Sequence, residues 1–441
     1  MNSRKFSRRS LMAAGFGVAV GAATASLLAA CGEDEAEPEA MTETAMDSGE
    51  RETVTIEYLN WAFSEVGEGP AAEILDAFHA AMPHIQVEPQ NLGFSQAQDK
   101  MITLHAAGAL PDAIQIGFWQ IGDFWDQGMI REVESMANAA NFDWSDYAEP
   151  LKNRIGNEIV VVPMSTITGL THYNEGTFEA AGVDGPPDNW DEHIEIGKQI
   201  TNPDAGQYGI SHAWSLENPQ VYSHLYPQIW QAGGQVENDD DLTFEANTSE
   251  GLAALSYVLD MELKEGMVAP GSLNGTEQTL IENFGSGLSG MFYDNSAHFN
   301  GYLEREDLSF FVGPPLEGPA KRAGFTFGWR NSIADRTEHP QETFDFLAWI
   351  AGVEGNSLLA GLGNQVPANK NATPTYSEGK MSGLVSEAVK WATFEGAQGS
   401  EGLGDERLIL VGHIHDAING TASYQEVLDR TETEWNESVS G

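Results

Sequence analysis

A single cysteine stands in 441 residues, so no intrachain disulfide can form and no Cys-rich zinc or iron–sulfur centre can be built. Positive charge is scarce too: 21 Lys plus Arg face 67 Asp plus Glu, a formal charge of −46 with histidine neutral. No Lys/Arg cluster occurs beyond the N-terminus. Such an acidic chain repels phosphate backbones, which excludes nucleic acid, and makes an anionic lipid surface a poor partner for the folded part. Also missing are G-x-S-x-G, a P-loop and H-E-x-x-H, so nucleophile-elbow hydrolysis, nucleotide hydrolysis and zincin chemistry have no support. No repeat with a period of about 20–50 residues recurs, which sets solenoids and propellers aside. His413 and His415 lie two apart, a spacing that on a helix does not converge on one ion. Asn238-Asp239-Asp240-Asp241 lacks the spaced pattern and closing Glu of a calcium loop and reads as a solvated turn. No metal or cofactor is expected.

What is present suffices for packed cores: 41 % of residues are hydrophobic and 10 % aromatic, which excludes a wholly disordered chain. The length implies two lobes or domains, because single cores stop growing at roughly 250–300 residues. At the start, Arg8-Arg9 precedes the uncharged stretch Leu11–Ala30, which resembles a twin-arginine export signal. Leu28-Ala29-Ala30-Cys31-Gly32 then resembles a lipobox, in which cleavage before the cysteine leaves Cys31 to carry a lipid. Removing residues 1–30 takes away four of the 21 basic residues and no acidic one, leaving 17 against 67, or −50. That surface stays soluble by self-repulsion and suits a salty exterior. Residues 31–52 read as a disordered acidic tether, with a reach of roughly 25 Å.

From Val54 the pattern alternates strand and helix. Val54, Ile56 and Tyr58 alternate as in a strand; Ile74, Leu75, Phe78 and Met82 follow at helical spacing. Short strands are expected at Ile85–Val87 and Ala113–Ile116, with helices over Ser95–Ala107 and Gln120–Gln127. The rhythm gives an α/β fold with a parallel sheet covered on both faces. Further helices are expected over Glu250–Glu265, Gln341–Ala351 and Gly379–Phe394, and the strand-like run Leu308–Val312 reads as an interlobe crossover.

Seven segments then stand in a characteristic order: Met82-Pro83-His84-Ile85-Gln86-Val87; Ala106-Ala107-Gly108-Ala109-Leu110-Pro111-Asp112; Val160-Val161-Val162-Pro163 with Thr171-His172-Tyr173-Asn174; Gly182 through Pro186-Pro187-Asp188-Asn189-Trp190-Asp191-Glu192; Ile229-Trp230-Gln231-Ala232-Gly233-Gly234; Gly328-Trp329; and Gly363-Asn364-Gln365-Val366-Pro367-Ala368. Their order resembles that of the family 1 extracellular solute-binding proteins, the maltose-binding-protein-like sugar-binding lipoproteins of ABC importers. Glu175 replaces the family's usual Lys. The resemblance implies a two-lobed periplasmic-binding-protein fold with the ligand in the cleft, residues 53–162 plus 312–360 forming lobe 1 and 163–311 plus 361–441 lobe 2. Two crossings would make the hinge. It also implies a monomeric receptor that is exported, lipid-anchored outside the cytoplasmic membrane or periplasmic, and docks on ABC permease subunits.

A neutral sugar needs aromatic platforms for its C–H faces and Asp, Asn, Gln or Arg for its hydroxyls. Trp61, Trp119 and Trp329 lie at strand ends, where open α/β sheets display ligand groups. Arg330 is either a donor to hydroxyls or one half of a surface ion pair. Tyr293, Asp294 and Asn295 follow the strand-like Gly290-Met291-Phe292. Gln120, Ser165, Thr166 and Trp214 complete the candidates, each with a core or surface role as the alternative. Trp190, Trp349, Trp391 and Trp435 read as packing. Two rival functions remain at this level: a cell-surface enzyme working on polysaccharide through a carboxylate pair, and a sensor or adhesin on the same scaffold.

Overall fold

The computed structural model describes residues 52–441 except 118–119, 149–150, 218–219, 239–241, 304, 377–382, 386–405 and 440–441. The export signal, Cys31, the tether, Trp391 and most of the expected helix Gly379–Phe394 lie outside the described residues.

The alternation at the start of the folded chain produces Val54–Asn60, whose inward residues Ile56, Tyr58 and Leu59 are fully buried. It pairs in parallel with Ile85–Asn91 on one side and Ala113–Ile116 on the other. The helices Glu68–Ala81 and Phe94–Ala106 make the crossovers. The sheet is not wholly parallel, however. Arg330–Ile333 enters antiparallel beside Ala113–Ile116, and Val162–Pro163 closes the edge against it. A strand returning from far along the chain carries no local crossover helix, so the sequence rhythm does not announce its direction. The core on this sheet gathers Ile56–Ile167, then Trp329–Ala368, with Phe344, Phe346, Leu347 and Ile350 of the helix Pro340–Ala351 fully buried.

A second sheet has the order Phe310–Gly313, Ser165–Asn174, Ser289–Asn295, Tyr208–Ile210. All ten residues of Ser165–Asn174 are buried, as expected of a strand covered on both faces. Three clusters pack around this sheet, including the terminal helices Glu406–Ile418 and Tyr424–Val439 through Leu410, Ile414, Val427 and Trp435. Asn174 accepts from Thr177 N at 3.1 Å and starts the helix Glu175–Ala181; Asn189 does the same for Trp190–Ile200 through Glu192 N at 3.0 Å. Trp190 stacks on Tyr257 with centroids 4.1 Å apart, and Trp435 Nε1 donates to Leu242 O.

The chain is two-lobed, and the partition differs from that expected most of all in one stretch. Val312 pairs with His172, and Ala323 and Phe325 pack in a second-lobe core, so residues 312–325, expected in lobe 1, group with lobe 2. Among the described residues the chain changes core three times rather than twice: within Ser165–Asn174, between Phe325 and Trp329, and near Val366. The crossings lie side by side. Thr326–Phe327 and Val366–Pro367 both pair antiparallel with the start of the long strand. Two-residue strands have no periodicity to read, which is why the third crossing escapes a sequence pattern.

Candidate functional site

Val54–Asn60 and Ala113–Ile116 end at one edge of the first sheet, and the segments leaving their C-terminal ends form the first wall. Gln115 Oε1 accepts from Trp61 N at 3.0 Å and Ala62 N at 2.9 Å. Asn60 Oδ1 accepts from Phe63 N at 2.8 Å. Two side chains thus satisfy the open end of the short helix Ala62–Val66, where backbone donors otherwise lack partners. Trp61 is turned inward, 1 % exposed, edge-on to the buried Trp329 with centroids 5.2 Å apart. The two rings form a packed pair at the base of the wall. Gln120 Oε1 holds Gly117 N at 2.8 Å, and Trp119 lies outside the described residues.

Arg330 is not at the surface, so the surface ion pair is not its role. It is 1 % exposed; its Nε donates to Asn153 Oδ1 at 2.6 Å and its Nη1 to the Gly328 carbonyl. Burial pulls its guanidinium down to about 9. Ser165 and Thr166 occupy the crossing itself. Met164 N and Ser165 N both donate to Trp329 O, at 2.9 and 3.3 Å, while Thr168 N donates to Ser296 Oγ at 3.3 Å. The long strand therefore runs from the Trp61–Trp329 pair to the residues following Asp294. Ser165 Oγ is buried and makes no hydrogen bond among the described residues.

The second wall centres on Asp294, which is 3 % exposed. Its carboxylate accepts from His298 Nδ1 at 2.8 Å, from Tyr302 OH at 2.6 Å and from Asn295 N at 2.7 Å. Burial alone would raise this carboxyl, but His298 beside it and the Tyr302 hydroxyl hold it below the usual range. Burial likewise disfavours charged His298; the carboxylates of Asp294, Glu277 and Glu65 outweigh it and lift the imidazole to about 9. Glu277 opens the helix Glu277–Gly285 and lies 3.7 Å from His298 Nε2. It accepts long bonds from Tyr222 OH and Asn295 Nδ2, both 3.5 Å, and burial raises its carboxyl.

Glu65 faces this group from the first lobe. It sits on the helix after Trp61 and is open to solvent. Yet enclosure by protein raises its carboxyl to about 7, with His298 pulling it down and Glu277 pushing it up. Chemically these side chains offer carboxylate acceptors, amide and phenol donors and an imidazole, a set suited to hydroxyls.

Of the residues expected from sequence, Asp294 and Asn295 lie beside His298 and Glu277, while Trp61 packs on Trp329, and Ser165 and Thr166 lie in the neighbouring crossing. Trp214 and Tyr293 point elsewhere. Trp214 is fully buried against His212 and His224, with ring centroids 5.6 Å away in each case. Tyr293 lines a separate enclosed cavity of about 20 Å³ with Thr171, His193, His212, His224 and Tyr257, room for about one water. Successive strand residues point to opposite faces, so Tyr293 and Asp294 diverge. Glu65, Tyr222, Glu277, His298 and Tyr302 were not foreseen. The spacing Asp294 to His298, one helical turn, is the one local signal that two of these groups meet.

The family described as bacterial extracellular solute-binding protein matches residues 60–357. The erythritol/L-threitol-binding protein of Mycolicibacterium smegmatis is 23 % identical over 268 residues, 55 % of each chain. Among solved structures, an ABC substrate-binding protein of Listeria monocytogenes in complex with cycloalternan is 18 % identical with a TM-score of 0.72, covering 88 % of this chain and 100 % of that one. The cyclic alpha-maltosyl-1,6-maltose binding protein of Arthrobacter globiformis is 19 % identical with a TM-score of 0.72, covering 88 % and 99 %. Family and fold are those of solute-binding proteins, which are not enzymes.

Proposed function

The chain belongs to the bacterial extracellular solute-binding proteins, and from that membership we propose that it is the receptor of an ABC importer, holding a sugar, oligosaccharide or polyol between its lobes and delivering it to a membrane permease. The reading is supported by the two-lobed fold shared with sugar-binding receptors and by Glu65 of one lobe, which lies near enough for the charges of His298 and Glu277 of the other to act on it. Groups on opposite walls can be bridged only by something between them, so a ligand there binds the closed form better than the open one. That difference in affinity drives closure. Trp61, Trp329, Ser165 and Thr166 shape the floor; Asn295, Tyr222 and Glu277 pair with hydroxyls; Trp119 and Tyr222 offer rings to apolar sugar faces. The first lobe comprises 53–164 with 329–365, the second 169–325 with 369–439, and the three adjacent crossings act as the hinge.

The Arg8-Arg9 pair and the Leu28–Cys31 pattern support export, cleavage before Cys31 and lipidation there, with residues 32–52 as tether and a monomeric receptor on the outer face of the cytoplasmic membrane or in the periplasm. Fatty-acid labelling that persists in Cys31→Ser would remove the anchor from this account. For the ligand, a sugar and polyol panel should raise the midpoint of thermal unfolding for at least one compound by mass action, and chromatography should recover that compound intact. A panel without a single shift, or recovery of cleaved sugar, would refute the receptor reading.

A further inference from the structure

The second wall carries a donor set that hydroxyl recognition does not require. The Nδ1 of His298 is committed to Asp294, which Tyr302 and Asn295 N hold in turn. Its Nε2 is directed toward Glu277 Oε1 at 3.7 Å, beyond the roughly 2.7–3.2 Å of a hydrogen bond. Zinc binds imidazole nitrogen and carboxylate oxygen at about 2.0–2.2 Å in tetrahedral geometry, which sets neighbouring ligand atoms about 3.4 Å apart. The observed gap is therefore close to that between two donors sharing one ion. Ligand atoms of Glu277, Asp294 and His298 all lie within 4.8 Å of one another.

We propose that His298 Nε2 and Glu277 bind a divalent transition metal ion of the zinc class, with Asp294 orienting the imidazole. The ion replaces the proton on Nε2, which leaves to solvent, while the Nδ1 hydrogen stays on the bond to Asp294. A carboxylate behind a ligating histidine fixes its tautomer and ring direction, and its loss costs about 10–100-fold in affinity. One imidazole beside two carboxylates leaves a surplus of negative charge that a dication neutralises. The nitrogen donor selects zinc or its neighbours over calcium and magnesium, which take all-oxygen cages. With two protein donors the remaining positions stay open to water or to oxygens of a second ligand.

The test uses the untagged full chain, stripped with chelator and titrated with zinc sulfate by calorimetry, with metal content measured after gel filtration. One equivalent should bind. Affinity should fall at least 100-fold in His298→Ala and about 10–100-fold in Asp294→Asn. Glu277→Gln, isosteric and half-buried at the start of its helix, should bind at least about 10-fold more weakly and keeps the test valid if a buried variant fails to fold. His413→Ala, whose imidazole lies among Asp416 and Glu434 on the terminal helices, should bind as the parent does. Absence of micromolar binding, or unchanged affinity in both His298→Ala and Glu277→Gln, overturns the proposal. Sugar binding is measured separately with chelator present, so loss of the metal site and loss of the receptor reading give different results.

Discussion

Trp61 shows what a residue's position in a pattern does and does not imply. Standing directly after a strand, it is at the edge where ligands are met, but the Gln115 side chain holds its backbone and turns the ring under Trp329. It is thus part of the wall's support. Trp61→Ala should cost about 3–5 kcal/mol, the usual range for emptying a large aromatic site, and weaken ligand binding as Trp329 loses its neighbour. Urea unfolding would measure it; a loss under about 1 kcal/mol, well short of that range, would return Trp61 to the open groove. Arg330 teaches the same point. A cation in an acidic chain suggests a surface pair, whereas its neighbours Asn153 and Gly328 offer neutral oxygen acceptors in a dry interior.

Among elements, the three crossing segments carry the largest consequence. They can lie against one another only where a side chain is absent: a Cβ on Gly328 would run into the Ser165 carbonyl and meet Leu151 Cδ2 at 3.0 Å. Backbone cannot rotate away as a side chain can. Gly328→Ala should therefore destabilise by about 1–3 kcal/mol through overpacking and alter lobe closure, readable as a changed ligand dissociation rate in stopped-flow fluorescence. Stability and rate both unchanged would show that the crossings have room to move apart. The helical elements needed no such arrangement: Ser249–Leu263 and Pro340–Ala351 fall within two residues of their periodic runs, because an amphipathic stripe against one core defines a helix locally.

At the scale of the whole molecule, buried neutral histidines set the response to acid. Burial holds His172 and His193 down to about 4 and His224 to about 3, and pushes His212 down as well. His212 faces His224 and His193; His172 faces Asp294 and His298, the carboxylate pulling it back up in part. In the unfolded chain they titrate near 6.5. Below that pH the unfolded state binds more protons, so stability falls as pH drops from about 6.5 toward 4. Glu65, Glu262 and Glu277, raised by burial, act in the opposite sense. Glu65 is open to solvent, so these three offset only part of four enclosed imidazoles. The unfolding midpoint should decrease steadily between about pH 6.5 and 4.5 in calorimetric scans; a midpoint that holds or rises would mean that the carboxylates dominate.

By itself the sequence determined the elements and their class. Alternation in Val54–Tyr58, helical spacing in Ile74–Met82 and capping at Asn174 and Asn189 are local properties, decided within a few residues of chain by backbone hydrogen bonding and the periods of strand and helix. The two-lobed fold was legible only through the resemblance that the ordered segments from Met82 to Ala368 bear to the solute-binding family. Only the tertiary structure decided which side chains share a groove. Glu65, Glu277 and His298 lie far apart along the chain, and nothing in their neighbourhoods announces that they face one another. Their meeting depends on how two sheets stand across three crossings, and that geometry is set by the packing of whole cores.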